Sequence, residues 1–395
     1  MTDKHIPRCA TALALAALAF GASAATLTLG VMQRADDERF DARRVALAYP
    51  GHPGGPLGEA VALAVAESRF ELDHAGLQVR LEVRDVRSAE EAGAQLRQLE
   101  KAGAGGAVLD LPGAWIASAA SATGLPVLNA GDSADAPRQQ GCRPNLFHTL
   151  PTERMRADAI AQALLARRWT RVLLLHGSDA EDATRLAQTQ AALKRYGIKM
   201  VALKPFKRSG DPRERDLANP LLLTGPGVGG DYDAVWVVDS DGEFARSLPY
   251  RTALPRPVVG DAGLVAEAWA SRFDRYGAPQ LERRFQRAAG RPMTSFDWAA
   301  YVAAKALLQA ALERPAAPGA AQMQKALVRA DFTLDGFKGV RLSFRAWDRQ
   351  LRQPLLLTDG VAVIGSTPVE GVMHPKNVLD TLGTDAAESA CNGAP

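Results

Sequence analysis

The chain is short of the residues and patterns on which most protein chemistry relies. It has three cysteines in 395 residues, and one of them, Cys9, lies near the start. Neither Cys142 nor Cys391 has a neighbouring histidine, so no thiolate–imidazole nucleophile is indicated. His5, His52, His74, His148, His176 and His374 show no metal-ligand spacing. There is no Gly-x-Ser-x-Gly nucleophile turn. Gly225-Pro-Gly-Val-Gly-Gly230 has the glycines of a phosphate loop, but no Lys-Ser/Thr follows and a strand pattern comes next. These absences point away from an enzyme. An excess of one charge is also missing, with 47 basic against 44 acidic residues, which argues against nucleic acid or an anionic membrane as the main partner. No apolar run approaches the ~20 residues of a membrane span.

What is present begins with a secretory pattern. Lys4, His5 and Arg8 supply a positive start, Ala10 to Phe20 an apolar core, and Ala22-Ser23-Ala24 a small-residue cleavage site. Cys9 precedes the core, where a lipoprotein would need its cysteine just after it. The expected mature chain starts at Ala25 in a Gram-negative periplasm. Without Lys4, Arg8 and Asp3 the charged residues number 45 and 43, a net charge of +2. In an oxidising compartment Cys142 and Cys391 are candidates for a disulfide holding the C-terminal tail to the edge of the first domain. Two free thiols are the alternative, since spacing does not supply the ~5.5 Å Cα separation a bridge requires.

Strand and helix signals then alternate. Strands are expected at Leu27–Met32, Leu77–Val83, Gly106–Leu111 and Pro126–Asn129, with helices at Leu57–Phe70, Ala89–Lys101 and Pro112–Thr123. After Pro151 the helix Arg154–Arg168 leads to strand Arg171–His176. Helix Asp182–Tyr196 and strands Ile198–Leu203, Ala234–Asp239 and Val258–Gly260 complete a second set. Lys204–Asp233 reads as a long loop rich in proline and glycine, and charged at Lys207, Arg208, Arg213 and Arg215. Helices dominate from Leu264 to Arg329, including Ser295–Leu312. Strand signals return at Arg341–Phe344, Gln353–Thr358 and Gly360–Ile364, with Asp359-Gly360 as a tight hairpin turn. The pattern implies an α/β fold of two doubly wound parallel-sheet lobes with a hinge and a cleft.

The opening strand, Arg84-Asp-Val-Arg-Ser88, Leu125-Pro-Val-Leu-Asn129, the Asn145–Asp179 strand–helix–strand unit and helix Phe296–Leu312 resemble the type I periplasmic binding proteins. These are the branched-chain amino-acid type of ABC-transporter substrate-binding protein. The C-terminal block resembles the subfamily found beside pyrroloquinoline-quinone (PQQ)-dependent alcohol dehydrogenase systems. It contains Asp331-Phe-Thr-Leu-Asp-Gly-Phe-Lys-Gly339, Leu342-Ser-Phe-Arg-Ala-Trp-Asp-Arg-Gln-Leu-Arg-Gln-Pro354, Val369-Glu-Gly371 and Asn377-Val-Leu-Asp-Thr-Leu-Gly383. The resemblance implies a first lobe of residues 25–147 with 262–330, a second of 148–261 with 331–367, and a tail of 368–395 after the 1–24 signal. It also implies a receptor without cofactor that works as a monomer with an inner-membrane ABC permease. Two departures stand out. Tyr-Gly is missing after Arg171–His176, where Ser178-Asp-Ala-Glu-Asp182 stands instead. A charged stretch, Arg34–Arg44, precedes Tyr49-Pro-Gly-His-Pro-Gly-Gly-Pro56.

Ligands of doubly wound sheets bind outside the carboxyl ends of the strands. Those positions are Asp110, Asn129, Asp132 and Ser133 in the first lobe, and Asp179, Asp239, Asp241 and Asp261 in the second. Trp115 is a candidate for stacking on the ligand. So many aspartates would suit a cationic ligand or a hard metal ion. Each one singly is as well explained by helix capping or turn formation. The expected function is a periplasmic receptor that captures a small molecule, linked to PQQ-dependent alcohol oxidation. The alternative is a cation- or lanthanide/calcium-binding sensor or chaperone on the same fold.

Overall fold

The computed structural model describes residues 25–47, 50–207, 211, 213, 231–252 and 254–391. The signal segment, Tyr49, most of the Lys204–Asp233 loop and its Gly225–Gly230 run lie outside the described residues. Strands β1 (Ala25–Arg34), β2 (Leu77–Val86), β3 (Gly106–Asp110), β4 (Val127–Asn129) and β5 (Leu146–His148) form one sheet, in the order β2-β1-β3-β4-β5. All of its pairings are parallel. Every residue of β3 is buried, as a strand covered by helices on both faces requires. Strands β6 (Arg171–His176), β7 (Lys199–Pro205), β8 (Ala234–Val238) and β9 (Val258–Gly260) form a second parallel sheet, in the order β7-β6-β8-β9.

The helix joining the sheets runs Glu153–Ala166, started by Thr152, whose hydroxyl accepts from the Met155 N–H. Its apolar residues Met155, Ile160 and Leu164 share a core with Val172, Leu174 and Trp236 of the second sheet. Helix Ser295–Leu312 is buried on almost every side and drives Trp298 and Tyr301 into the core of the first sheet. Two small antiparallel sheets follow. One pairs β10 (Val265–Glu267) with β14 (Leu355–Thr358) and β15 (Val363–Thr367), and the other joins β11 (Leu334–Asp335), β12 (Arg341–Phe344) and β13 (Leu351–Arg352). Ala266, Leu355 and Leu357 pack in the second sheet's core, while Leu334, Leu342 and Leu351 pack in the first's. The chain therefore crosses between cores more than once.

Local differences from the sequence reading have identifiable causes. The helix expected from Asp182 starts at Ala180, because Asp179 and Asp182 make a capping box. Asp359-Gly360 does not form a two-residue turn. Thr358 pairs with Val363, and the Asp359 carboxylate accepts from the Val361 and Ala362 N–H groups, widening the connection to residues 359–362. The region expected to be helical from Leu264 opens with β10. Cys142 and Cys391 are joined in a disulfide with Cα atoms 5.9 Å apart. No helix among the described residues is long and apolar enough to cross a membrane.

Candidate ligand-binding site

A cavity of about 450 Å³ lies where the carboxyl ends of the two sheets face each other. Leu111 and Pro112 after β3 and Gly131–Ala134 after β4 form one wall. Glu181, Thr184 and Arg185 from the helix after β6, with Ser240 after β8, form the other. Glu153, Arg156 and Glu267 lie between these walls, and the charged stretch contributes Arg34, Asp37, Arg39 and Arg44. Gly51, His52, Pro53, Leu150, Pro151, Ser295 and Phe296 complete the lining.

The floor is a closed ion network. Arg156 donates to Glu267 at 2.6 Å and lies 3.8 Å from Glu153. Arg185 pairs with Asp261 at 3.0 Å and Glu181 at 2.7 Å, and lies 4.0 Å from Glu153. Ser133 donates to Glu153 at 2.7 Å, and Ser295 to Glu267 at 2.5 Å. Burial raises the Glu153 carboxyl, but Arg185 and Arg156 outweigh it and hold the group below its ordinary value. Burial pushes the carboxyls of Glu267 and Asp261 up, against the pull of Arg156 and Arg185 respectively.

The strand-end residues singled out in the sequence are placed as follows. Asp132 and Ser133 line the cavity, and Asp261 lines a small adjoining space of about 30 Å³. Asp132 accepts from the N–H groups of Gly113 and Ala134, both at 2.8 Å. Asp110 is buried and accepts from Arg39 at 2.7 Å; burial raises its carboxyl, with Arg39 pulling the other way. Asn129 accepts from the N–H groups of Gly131 and Asp132, and its amide lies 3.1 Å from His148 Nδ1. Asp179 caps the helix Ala180–Arg195. Asp239 accepts from the Ala245 N–H, and its own N–H donates to Asp261. Asp241 accepts from the Glu243 N–H. Trp115 packs on the apolar layer over the first sheet rather than on the cavity. The aspartates therefore do not converge. Among the described residues no group of three or more His, Cys, Asp or Glu side chains could hold a metal ion.

Other lining residues were not singled out in the sequence, although Arg34 stands at the carboxyl end of β1. Arg34 and Arg44 line the cavity, and neither has a hydrogen-bond or ion-pair partner among the described residues. His52 Nε2 lies 3.4 Å from the Ser240 carbonyl on the opposite wall. Burial, reinforced by Arg185, Arg44 and Arg39, brings the His52 pKa down to about 4, so the ring is neutral at pH 7. The available signal was the charge of Arg34–Arg44 and the glycine-rich run after it. For Arg156, Arg185 and Glu267 the sequence carried no such signal.

No family model and no curated protein matches the chain. Solved structures do. One is a branched-chain amino-acid ABC-transporter periplasmic ligand-binding protein from Burkholderia xenovorans LB400, 14% identical over 92% of this chain and 98% of that one, with a TM-score of 0.70. Another is a periplasmic binding protein from Burkholderia mallei, 13% identical over 94% and 99%, with a TM-score of 0.67. A third is an ABC-transporter solute-binding protein from Rhodopseudomonas palustris BisB5 in complex with 3,4-dihydroxybenzoic acid. It is 12% identical over 87% of this chain and 97% of that one, with a TM-score of 0.64. The fold is that of a type I periplasmic binding protein: two doubly wound parallel-sheet lobes with a ligand cleft.

Proposed function

We propose that the protein is a periplasmic solute receptor of an ABC importer that closes its two lobes over a small organic anion. The observation that carries this reading is the pair of arginines, Arg34 and Arg44, unpartnered among the described residues on a cavity of about 450 Å³. A guanidinium offers a planar fork of donors matched to a carboxylate. The acids on the same cavity have other duties. Asp37, Glu153, Glu181 and Glu267 face arginines, and Asp132 is engaged by backbone N–H groups. The Rhodopseudomonas neighbour was solved with a carboxylic acid.

On this reading the lobes comprise residues 25–147 with 262–330, and 148–261 with 331–367, with Ala266 packing on the second core and Leu334, Leu342 and Leu351 on the first. Cleavage after Ala24 releases a monomer into the periplasm, and the permease reads the closed form. The C-terminal blocks that resemble the PQQ-associated subfamily tie the receptor to that oxidation system. The cation reading is not favoured, because the acids it needs are apart.

Calorimetric titration with acetate, succinate, calcium and lanthanum ions tests the proposal. A carboxylate that binds saturably, with affinity lost about tenfold or more in Arg34→Gln and Arg44→Gln, supports it. Binding of either metal ion, with no carboxylate bound, would sink it.

A further inference from the structure

The chain passes between the first core and the second three times. It runs from Leu150 to Met155, back from Ala266 to Ala268, and over again from Leu351 to Leu355. The tail makes a fourth connection. Leu382 is buried in the second core, the Gly383 N–H donates to Asp158 at 2.9 Å, and Glu388 pairs with Arg154 on the same helix. Three residues later, Cys391 is bridged to Cys142, which stands just before β5 at the edge of the first sheet. Three residues reach no more than about 10 Å, so the helix Glu153–Ala166 and that edge are held together.

The bridge closes on a segment too short to hold its own position. Helix Ala136–Gln139 has four residues, far fewer than a helix needs to be stable by itself. Its Arg138 carbonyl lies 2.8 Å from Cys391 Sγ, and the Gln139 side chain accepts from the Ala390 N–H at 3.0 Å. The buried Arg138 side chain carries the position of this helix to the cavity. Its guanidinium donates to the main-chain carbonyls of Asp132 at 3.1 Å and Ala134 at 2.5 Å, in the wall after β4. It also donates to the Leu150 carbonyl at 2.9 Å on the first crossing, and to the Gln350 side chain at 2.7 Å beside the third. Gln350 in turn donates to the carbonyls of Leu150 at 3.1 Å and His148 at 3.3 Å. These acceptors are neutral, so the guanidinium serves here through the fixed directions of its donors.

We infer that Arg138 is a positioning residue of the ligand cavity, and that the bridged tail is the clamp that keeps it in place. One side chain sets the Gly131–Ala134 wall against two of the crossings about which the lobes would close. Without the bridge the short helix is free to shift, and the wall loses its fixed relation to those crossings. This goes beyond the receptor reading by adding a residue that acts on the site without touching a ligand.

Amide hydrogen exchange, read by mass spectrometry on the mature protein without any ligand, tests it. The wild type is compared with Cys142→Ser/Cys391→Ser, with Arg138→Gln and with all three replacements together. Labelling is read at times when β6 is still protected in every protein, so that only local opening contributes. The amides of residues 131–134 and 149–153 are expected to exchange about tenfold faster or more in each variant. The combined variant should be no faster there than Arg138→Gln alone, because the tail acts through that side chain. Arg138→Lys, which keeps the charge without the fork, should give the same acceleration and serves if glutamine is not tolerated. A wall unchanged by loss of the bridge would show that the bridge only closes a loop, and would overturn the inference. Effects that add in full would overturn it too, since the tail would then act by another route. Neither result touches the anion reading, which calorimetry with acetate and succinate decides.

Discussion

The floor of the cleft and the Arg34–Arg44 stretch beside it use the same side chain in opposite ways. On the floor, Arg156 and Arg185 are each surrounded by carboxylates, namely Glu153 and Glu267 for the first, and Glu153, Glu181 and Asp261 for the second. Arg34, at the end of β1, and Arg44, in the helix Ala42–Leu47, face the same cavity without such partners among the described residues. A guanidinium that has satisfied its charge is a structural part, and removing it leaves a buried acid without a counter-charge. One that has not is available to a ligand. The residue type does not separate the two roles; the company it keeps does.

The sharpest way to break this comparison is on the floor. Arg156→Met leaves Glu267, 7% exposed, without its partner, and is expected to cost about 3–5 kcal/mol in urea unfolding. The double replacement with Glu267→Met should recover most of that loss. Next in size is the tail. Cys142→Ser or Cys391→Ser releases a closure of sequence separation 249, and about 2–4 kcal/mol should be lost, read as a lower melting temperature. Reductant should lower the wild type to the same value.

Titration should give smaller effects of opposite sign. Burial raises the pKa of Asp158, which sits between Arg195 and Arg154 and accepts from the Gly383 N–H of the tail, to about 6 from 3.8. The folded protein therefore holds more protons there than the unfolded chain, and this group's contribution to stability falls as pH rises from 3.8 to about 6. His52 behaves in reverse. With its pKa brought down to about 4 from 6.5, it contributes stability that is present above 6.5 and lost as pH falls to about 4. Stability–pH curves should lose the falling component in Asp158→Asn and the rising one in His52→Gln. Smallest of all is the effect of Arg34 and Arg44 on folding. Arg34→Gln and Arg44→Gln should each shift stability by no more than about 0.5 kcal/mol, against their large effect on anion binding. A loss comparable to that of Arg156→Met would show that they too are structural.

Much of the fold was legible because it is local. The apolar run Arg171–His176 reads as a buried strand and is one, and the period of Ser295–Leu312 marks a helix with the same limits. The Pro-Thr start before Glu153 announces a capped helix, since a threonine side chain reaches only as far as the next turn. The hairpin at Asp359-Gly360 misled because the carboxylate found two N–H groups further on, a competition that a dipeptide rule does not contain.

The candidate site was legible only in outline. Strand ends pointed to the side of each sheet on which the cavity lies, and Asp132 and Ser133 do reach it. They also drew attention to acids that turn inward to backbone N–H groups, while the cavity's character comes from Arg34, at the end of β1, and Arg44, in the six-residue helix Ala42–Leu47.

From its sequence alone this protein is determined to be an α/β chain of alternating strands and helices, near neutral in charge, with two sets of parallel-strand units joined through Asn145–Asp179. Those properties follow from hydrophobic periodicity, capping and composition, which act over a few residues. Tertiary structure alone decided which arginines are neutralised. Arg39 meets Asp110 across 71 residues and Arg156 meets Glu267 across 111. The energy of each such charge depends on distance and burial, and neither exists until the two sheets have brought their strand ends face to face.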